Sequence, residues 1–263
     1  MIYKVLGASR YNALARSMVR HASTSVSAKS IPQVTKPLGI EQVTRPTQDT
    51  RSRIQKMKDF VDYDKNLQRR EEIKAELASS KFTPMHRFGD VKGKFWQFPA
   101  AYSRADRSLF MPNITGRTLV SSDPVSLTTL CNDKVSIVRL FSNTVADRHT
   151  LSYFLENAFN MNENGFQVIH INAVENYVKE LLVRTAVRSL RKQFDDTHRW
   201  SHYMIARSSL TKELRASIMA DNIFGGYIYL LDRNGKIRWA ACGEATPEER
   251  ANLWRYVKVL QNE

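Results

Sequence analysis

From residue 134 to its end the chain alternates short apolar runs with amphipathic stretches, and that alternation restricts its fold more than any other feature. The run "VSIVRLF" at 135–141 reads as a buried strand. The stretch after it predicts a helix capped by Thr144, with Asp147 in the first turn and Leu151, Phe154, Leu155, Ala158 and Phe159 spaced along one inward face. "FQVIHIN" predicts a second strand, "ENYVKELLVRTAVRSLRKQF" a long helix, "RWSHYMIAR" a third strand and "TKELRASIMADN" a short helix. Asn234-Gly235, set between two apolar runs, marks a hairpin. Thr246 then reads as a helix cap, with Pro247 at the first helical position and Glu249 closing a capping box.

Sequential βα units pair their strands in parallel, and the hairpin adds an antiparallel edge. The expected fold over 134–263 is therefore α/β: a thioredoxin-like mixed sheet with helices on both faces. A redox member of that class needs a thiol at the strand-to-helix junction, where the helix N-terminus lowers its pKa. This junction offers Ser142, Asn143, Thr144 and Ala146 instead. The place of the cis proline that accompanies the dithiol is taken by Gly225-Gly226. Thiol exchange is not expected, nor is an enzyme of another kind.

The two cysteines, Cys131 and Cys242, are too few for a disulfide framework or a thiolate zinc site. They read as small buried residues, with a lone-thiol role for Cys242 as the sharper alternative. His149, His170, His198 and His202 match no zinc spacing, and His198 and His202 on a strand would lie about 13 Å apart. Gly93-Lys94 lacks the glycine spacing of a phosphate loop. No metal and no cofactor are expected.

Residues 1–25 are rich in Arg and Ser, lack acids, and set Tyr11, Leu14 and Met18 on one helical face, which predicts a mitochondrial transit peptide. Residues 26–80 read as a linker broken by Pro32, Pro37 and Pro46, followed by a charged helix from 51. Residues 81–133 are dense in aromatics, Gly and Pro, and predict a segment that wraps the core in short extended pieces. No stretch approaches the roughly 18 apolar residues of a membrane span.

The formal charge of +14 draws the chain toward nucleic acid, anionic lipid or an acidic partner. Arg184, Arg188 and Arg191 share one face of the long helix, which is either solvated or a contact surface for acidic client segments or anionic lipid. The candidate partner-binding residues are these three with Phe95, Trp96, Phe110, Gly225 and Gly226.

Four stretches, "GKFWQFPA", "SLFMPNITGRTL", "VSIVRLFSNTVAD" and "GGYIYLLDRNGKIRWAACGEATPEE", carry a closer likeness. Through them the chain from about Phe82 to Gln261 resembles the mitochondrial ATP synthase assembly factors known as ATPase complex subunit ten. The resemblance implies a matrix protein peripheral to the inner membrane, a chaperone rather than an enzyme. Its implied partners are the proton-channel subunit 6/a of ATP synthase, the ring that this subunit joins, and the membrane surface. The alternative is a matrix RNA-binding or mitoribosome-associated protein, which the positive charge favours.

Overall fold

The computed structural model describes residues 31–42, 82–120, 123–154, 165–174, 201–207 and 209–263, with Val183, Thr185 and Val187 between them. The expected transit peptide and the charged helix lie outside the described residues. In chain order the elements are α1 (Phe82–Val91), β1 (Thr115–Thr118), β2 (Pro124–Ser126), α2 (Leu127–Cys131), β3 (Val135–Phe141) and α3 (Thr144–Leu151). A short 3-10 turn at Ser152–Phe154 follows, then β4 (Phe166–Ala173), β5 (Tyr203–Ala206), α4 (Lys212–Ser217), β6 (Tyr227–Leu231), β7 (Ile237–Cys242) and α5 (Pro247–Asn262).

The strands form one seven-stranded sheet in the order β2-β1-β5-β4-β3-β6-β7. β3, β4 and β5 run parallel, and the β6–β7 hairpin and the β1–β2 pair flank them antiparallel. The units β3-α3-β4 and β6-β7-α5 around a central β3 make the fold thioredoxin-like. All seven residues of β3 are buried, because β4 and β6 flank it and both faces of the sheet are covered.

Register and alternation decide which side chains share a face. Arg139 lies opposite His170, and His170 opposite Tyr203, so these three project together. This face receives α3 and α5: Asp147 and Thr150 of α3 bond to Arg139, and Tyr256 of α5 packs 6.3 Å from the Trp239 ring. The opposite face carries Val138, Leu140, Tyr227 and Tyr229. It is closed by the residue after α4, whose Ile218 carbonyl accepts from the Tyr229 hydroxyl at 2.9 Å, and by Phe95 and Trp96, both stacked 6.3 Å from Tyr227.

The segment before the thioredoxin-like unit is built into it. Phe95, Trp96, Phe98, Met111 and Ile114 are buried in the main core. Residues 103–111 run beside the free edge of β7: Ser103 N–H donates to the Arg238 carbonyl at 2.7 Å and Ile237 N–H to the Leu109 carbonyl at 2.8 Å. A bare edge strand invites pairing with another chain, and this segment occupies it. The opposite edge is the three-residue β2, which starts at Pro124.

Several elements differ from the sequence reading. Residues 31–42, read as linker, dock on the core: Val34 and Leu38 are buried, Gln33 bridges Gln97 and Ile40 bridges Phe110. Their prolines exclude helix yet suit the extended backbone that this pairing needs. The wrapping segment is not all extended, since it contains the helices α1 and α2, and its extended pieces β1 and β2 join the sheet. Thr144 is the first residue inside α3, and Asn143 is the cap, accepting from Ala146 N–H at 2.9 Å. The third strand is confined to Tyr203–Ala206. The hairpin turn places Gly235 at φ +78°, and α5 begins with the complete Thr246–Glu249 capping box.

Candidate functional site

Where β3 gives way to α3, the Ser142 hydroxyl donates to the Ile223 carbonyl. Asn143 Nδ2 donates to the Phe224 carbonyl at 3.3 Å while its Oδ1 caps α3. The loop leading to β6 is thus fastened to the junction by the side chains that stand where a redox protein would carry thiols. Asn222 holds the loop from the other side, accepting from Phe224 N–H at 2.9 Å and donating through Nδ2 to the Pro84 carbonyl of α1 at 2.8 Å.

Gly225 and Gly226 are buried here. A Cβ on Gly225 would sit 2.7 Å from the Phe95 ring, and one on Gly226 would collide with the Ala146 carbonyl of α3. Their smallness lets the loop press against α3 and the aromatic segment. On the outward side Val145 is 43% and Met85 62% exposed, among exposed Thr144, His86 and Arg87. No cysteine stands in this arrangement, and the Ser142 hydroxyl gives its hydrogen bond to a backbone carbonyl.

The thiols elsewhere are equally unsuited to exchange. Cys131 is 4% exposed and burial pushes its pKa up to about 12, against a smaller opposing hydrogen bond with Ser136. Cys242 is fully buried, with its pKa pushed by burial to about 11 and its Sγ 3.2 Å from the Trp96 carbonyl. A thiolate has to form before it can attack, and neither site supports one. Among the described residues no group of three His, Cys, Asp or Glu side chains could hold a metal ion.

Polar clusters do lie inside the molecule, among them those around Arg139 and Lys94. Arg139, 3% exposed, donates to Thr150 Oγ1 at 2.9 Å and to Asp147 Oδ1 at 2.6 Å, and its Nη1 lies 2.6 Å from His170 Nδ1. It ties α3 to β3 and β4 under the junction. Lys94, from the aromatic segment, pairs with Glu249 of α5 and lies 3.4 Å from the Tyr153 hydroxyl. Tyr153 is held well above its ordinary pKa by burial first and by the Glu249 charge second.

His149 on α3 stacks on Phe88 of α1 at 5.9 Å, and its buried Nδ1 has no hydrogen-bond partner among the described residues. Burial holds its pKa below the ordinary 6.5, with Arg148 and Lys94 adding to the effect and Glu244 opposing it. The fold therefore holds a neutral ring, while the unfolded chain takes up a proton near pH 6.5. Its stabilising effect is complete above that value and is lost as the pH falls through it toward the lower folded value. His149→Phe keeps the stack and removes the titration. The urea midpoint of the variant should change less than that of the parent between about pH 7.5 and about pH 5.5. Equal changes would mean that His149 does not titrate on unfolding.

Of the candidate partner-binding residues, the structure brings Phe95, Gly225 and Gly226 together at the junction, and puts Trp96 beside Tyr227. Phe95 is 6% and Trp96 2% exposed, so both support the loop from within and present almost no surface. Phe110 is half-buried at the hairpin, with Lys236 Nζ 5.2 Å from its ring centre. Arg184, Arg188 and Arg191 lie outside the described residues. The sequence reading missed Arg139, although a lone charge inside "IVRLF" is itself a signal that a buried run holds a polar network.

The family described as ATP10 protein matches residues 18–260 of the chain. A curated relative from Saccharomyces cerevisiae named "Mitochondrial ATPase complex subunit ATP10" is 31% identical over 260 residues, covering 91% of this chain and 90% of that one. A relative of the same name from Candida glabrata is 30% identical, covering 95% and 92%. Among solved structures the chain is similar to a thiol:disulfide interchange protein of the thioredoxin family from Chlorobium tepidum, with 19% identity, a TM-score of 0.40, and coverage of 59% of this chain and 97% of that one. It is also similar to BsSco, a member of the Sco family of cytochrome c oxidase assembly proteins, with 12% identity, a TM-score of 0.41, and coverage of 59% and 94%.

Proposed function

The chain belongs to the ATP10 protein family, and on that premise we propose that it is a non-enzymatic assembly chaperone for the membrane sector of mitochondrial ATP synthase. In this reading it assists the proton-channel subunit 6/a and its joining to the ring, working as a peripheral protein on the matrix side of the inner membrane. The observation that carries the non-enzymatic role is the junction itself. Its thiol positions hold Ser142 and Asn143, whose side chains fasten the neighbouring loop, and both cysteines of the chain are buried with raised pKa values. Such a domain acts by what it binds. The relatives named as subunits of the mitochondrial ATPase complex support the address and the partner. Among the described residues no helix is long and apolar enough to cross a membrane, in keeping with peripheral attachment.

The Arg184, Arg188 and Arg191 stretch and the Gly225-Gly226 end of the sheet are proposed contacts for the client, and Phe110, at the hairpin end of β6, is a separate one. Crosslinking to newly made inner-membrane proteins, followed by copurification with and without nuclease, tests this function. Unassembled subunit 6/a should be recovered in both cases at the same ratio. Recovery of RNA or ribosomal proteins that vanishes with nuclease, and no subunit 6/a, would replace the chaperone by an RNA-binding role.

A further inference from the structure

α1 reaches the loop before β6 and the C-terminal half of α3 through one narrow stripe. Pro84, Phe88 and Val91, spaced four and three apart, are half-buried, while Met85, His86, Arg87, Gly89 and Asp90 are exposed. Phe88 stacks on the His149 ring at 5.9 Å and lies 6.3 Å from the Phe95 ring. The Pro84 carbonyl accepts from Asn222 Nδ2 at 2.8 Å. After the helix the chain turns through Lys92 at φ +49° and Gly93 at φ +81°, and Phe95 then enters the main core. These two left-handed residues form a joint between α1 and the fixed segment that follows it.

The helix itself is weakly built. Its ten residues are too few for a stable isolated helix, its first turn holds no acid and its last turn no base, and Asp90 opposes the dipole at its end. A Cβ on Gly89 would meet nothing within 4 Å, so close packing does not call for the glycine, which only lowers helix stability. The surface under α1 is incompletely served as well. His149 Nδ1 is buried without a hydrogen-bond partner among the described residues, and the Phe88 ring stacked on it offers none. Val145, one turn before His149 on the same face of α3, is 43% exposed, so α1 leaves part of that face open.

We infer that α1 is a displaceable lid, and that the surface beneath it receives a helical segment of a partner protein with an aromatic side chain in the place of Phe88. α1 is the template for that fit, a helix that enters with one ring and a short apolar stripe. A partner segment that also hydrogen-bonds His149 Nδ1 and covers Val145 gains interactions that the lid lacks. Asn222 couples the exchange to the junction, since its Nδ2 holds the lid and its Oδ1 accepts from Phe224 N–H at 2.9 Å. The inference gives the client a docking place beside the Gly225-Gly226 end of the sheet, and it rests on the proposed function only for the identity of that client.

The test adds a fluorescent peptide with the sequence of residues 82–92 to the full chain and follows its anisotropy. The tethered helix competes with the peptide, so the apparent affinity scales with the fraction of chains whose lid is open. Phe88→Ala in the chain withdraws the half-buried ring from the surface and should tighten peptide binding about tenfold. Gly89→Ala in the chain strengthens the lid without touching the surface beneath it, and should weaken binding about fivefold. The peptide that itself carries Phe88→Ala should not bind. No saturable binding to the Phe88→Ala chain, equal affinities for the parent and both variants, or equal binding of the peptide without the ring would overturn the inference. The experiment contains no ATP synthase subunit, so its failure and a failure to capture subunit 6/a are distinguishable.

Discussion

Residues 134–263 produced without the preceding chain will not give a stable monomer. The missing segment supplies Phe95, Trp96, Phe98, Met111 and Ile114 to the core, and each buried side chain of this size contributes roughly 1.5–3 kcal/mol. Their combined loss is comparable to the whole net stability of a typical domain, about 5–15 kcal/mol. Three further consequences act in the same direction. Tyr227 loses the rings stacked against it, the edge of β7 loses the strand-like cover of residues 103–111, and Glu249, with a side chain 9% exposed, loses the Lys94 ammonium that neutralises it. An unpaired buried carboxylate and an uncovered strand edge favour unfolding and aggregation. Size-exclusion chromatography with thermal unfolding measures the result. A monomer as stable as the full chain would show that the aromatic segment is an appendage.

Arg139→Ala should destabilise the protein by about 2–4 kcal/mol, read as a lowered urea midpoint at unchanged slope. The substitution removes the donor that serves Asp147, Thr150 and His170 at once, and leaves an unfilled space in the centre of the sheet. Breaking a fully buried ion pair costs about 3–5 kcal/mol, but Asp147 keeps 38% exposure, so water screens part of its charge and the lower range applies. Arg139→Lys should recover only a fraction, because an ammonium cannot reproduce the planar fork that reaches three partners. A loss below about 1 kcal/mol for the alanine variant would mean that the network contributes little to stability.

The elements legible in the sequence are those whose signals are local. Thr246, Pro247 and Glu249 sit within one helical turn, and Asn234-Gly235 lies between the two strands that it joins; both features occur as read. The errors arise where the deciding partner is far along the chain. Residues 31–42 resemble a linker because nothing nearby pairs with them, whereas Gln97 and Phe110 do. Phe95 and Trp96, named as candidate partner-binding residues, are taken inside by Tyr227 and the Met219 carbonyl. The cap of α3 moved by one residue because Asn143 holds an extended backbone and reaches the Ala146 amide first.

The site divides in the same way. The lack of cysteines at the junction is visible in a single line of sequence, and with it the expectation that no thiol exchange occurs there. That Ser142 and Asn143 then bind the loop at Ile223 and Phe224, each 81 residues away, is a tertiary fact with no local trace. The same holds for the raised pKa values of Cys131 and Cys242, which follow from burial and not from neighbours in sequence.

Replacing both cysteines puts the binding role to its most direct test. Cys131→Ala with Cys242→Ala, expressed in cells that lack the parent protein, leaves the chain without any thiol. The amount of fully assembled ATP synthase, measured on native gels beside the level and thermal transition of the variant itself, is the readout. Assembly equal to that supported by the parent chain is the predicted result. Loss of assembled enzyme by a variant that accumulates normally and unfolds at the parent temperature would contradict a role that works through binding alone.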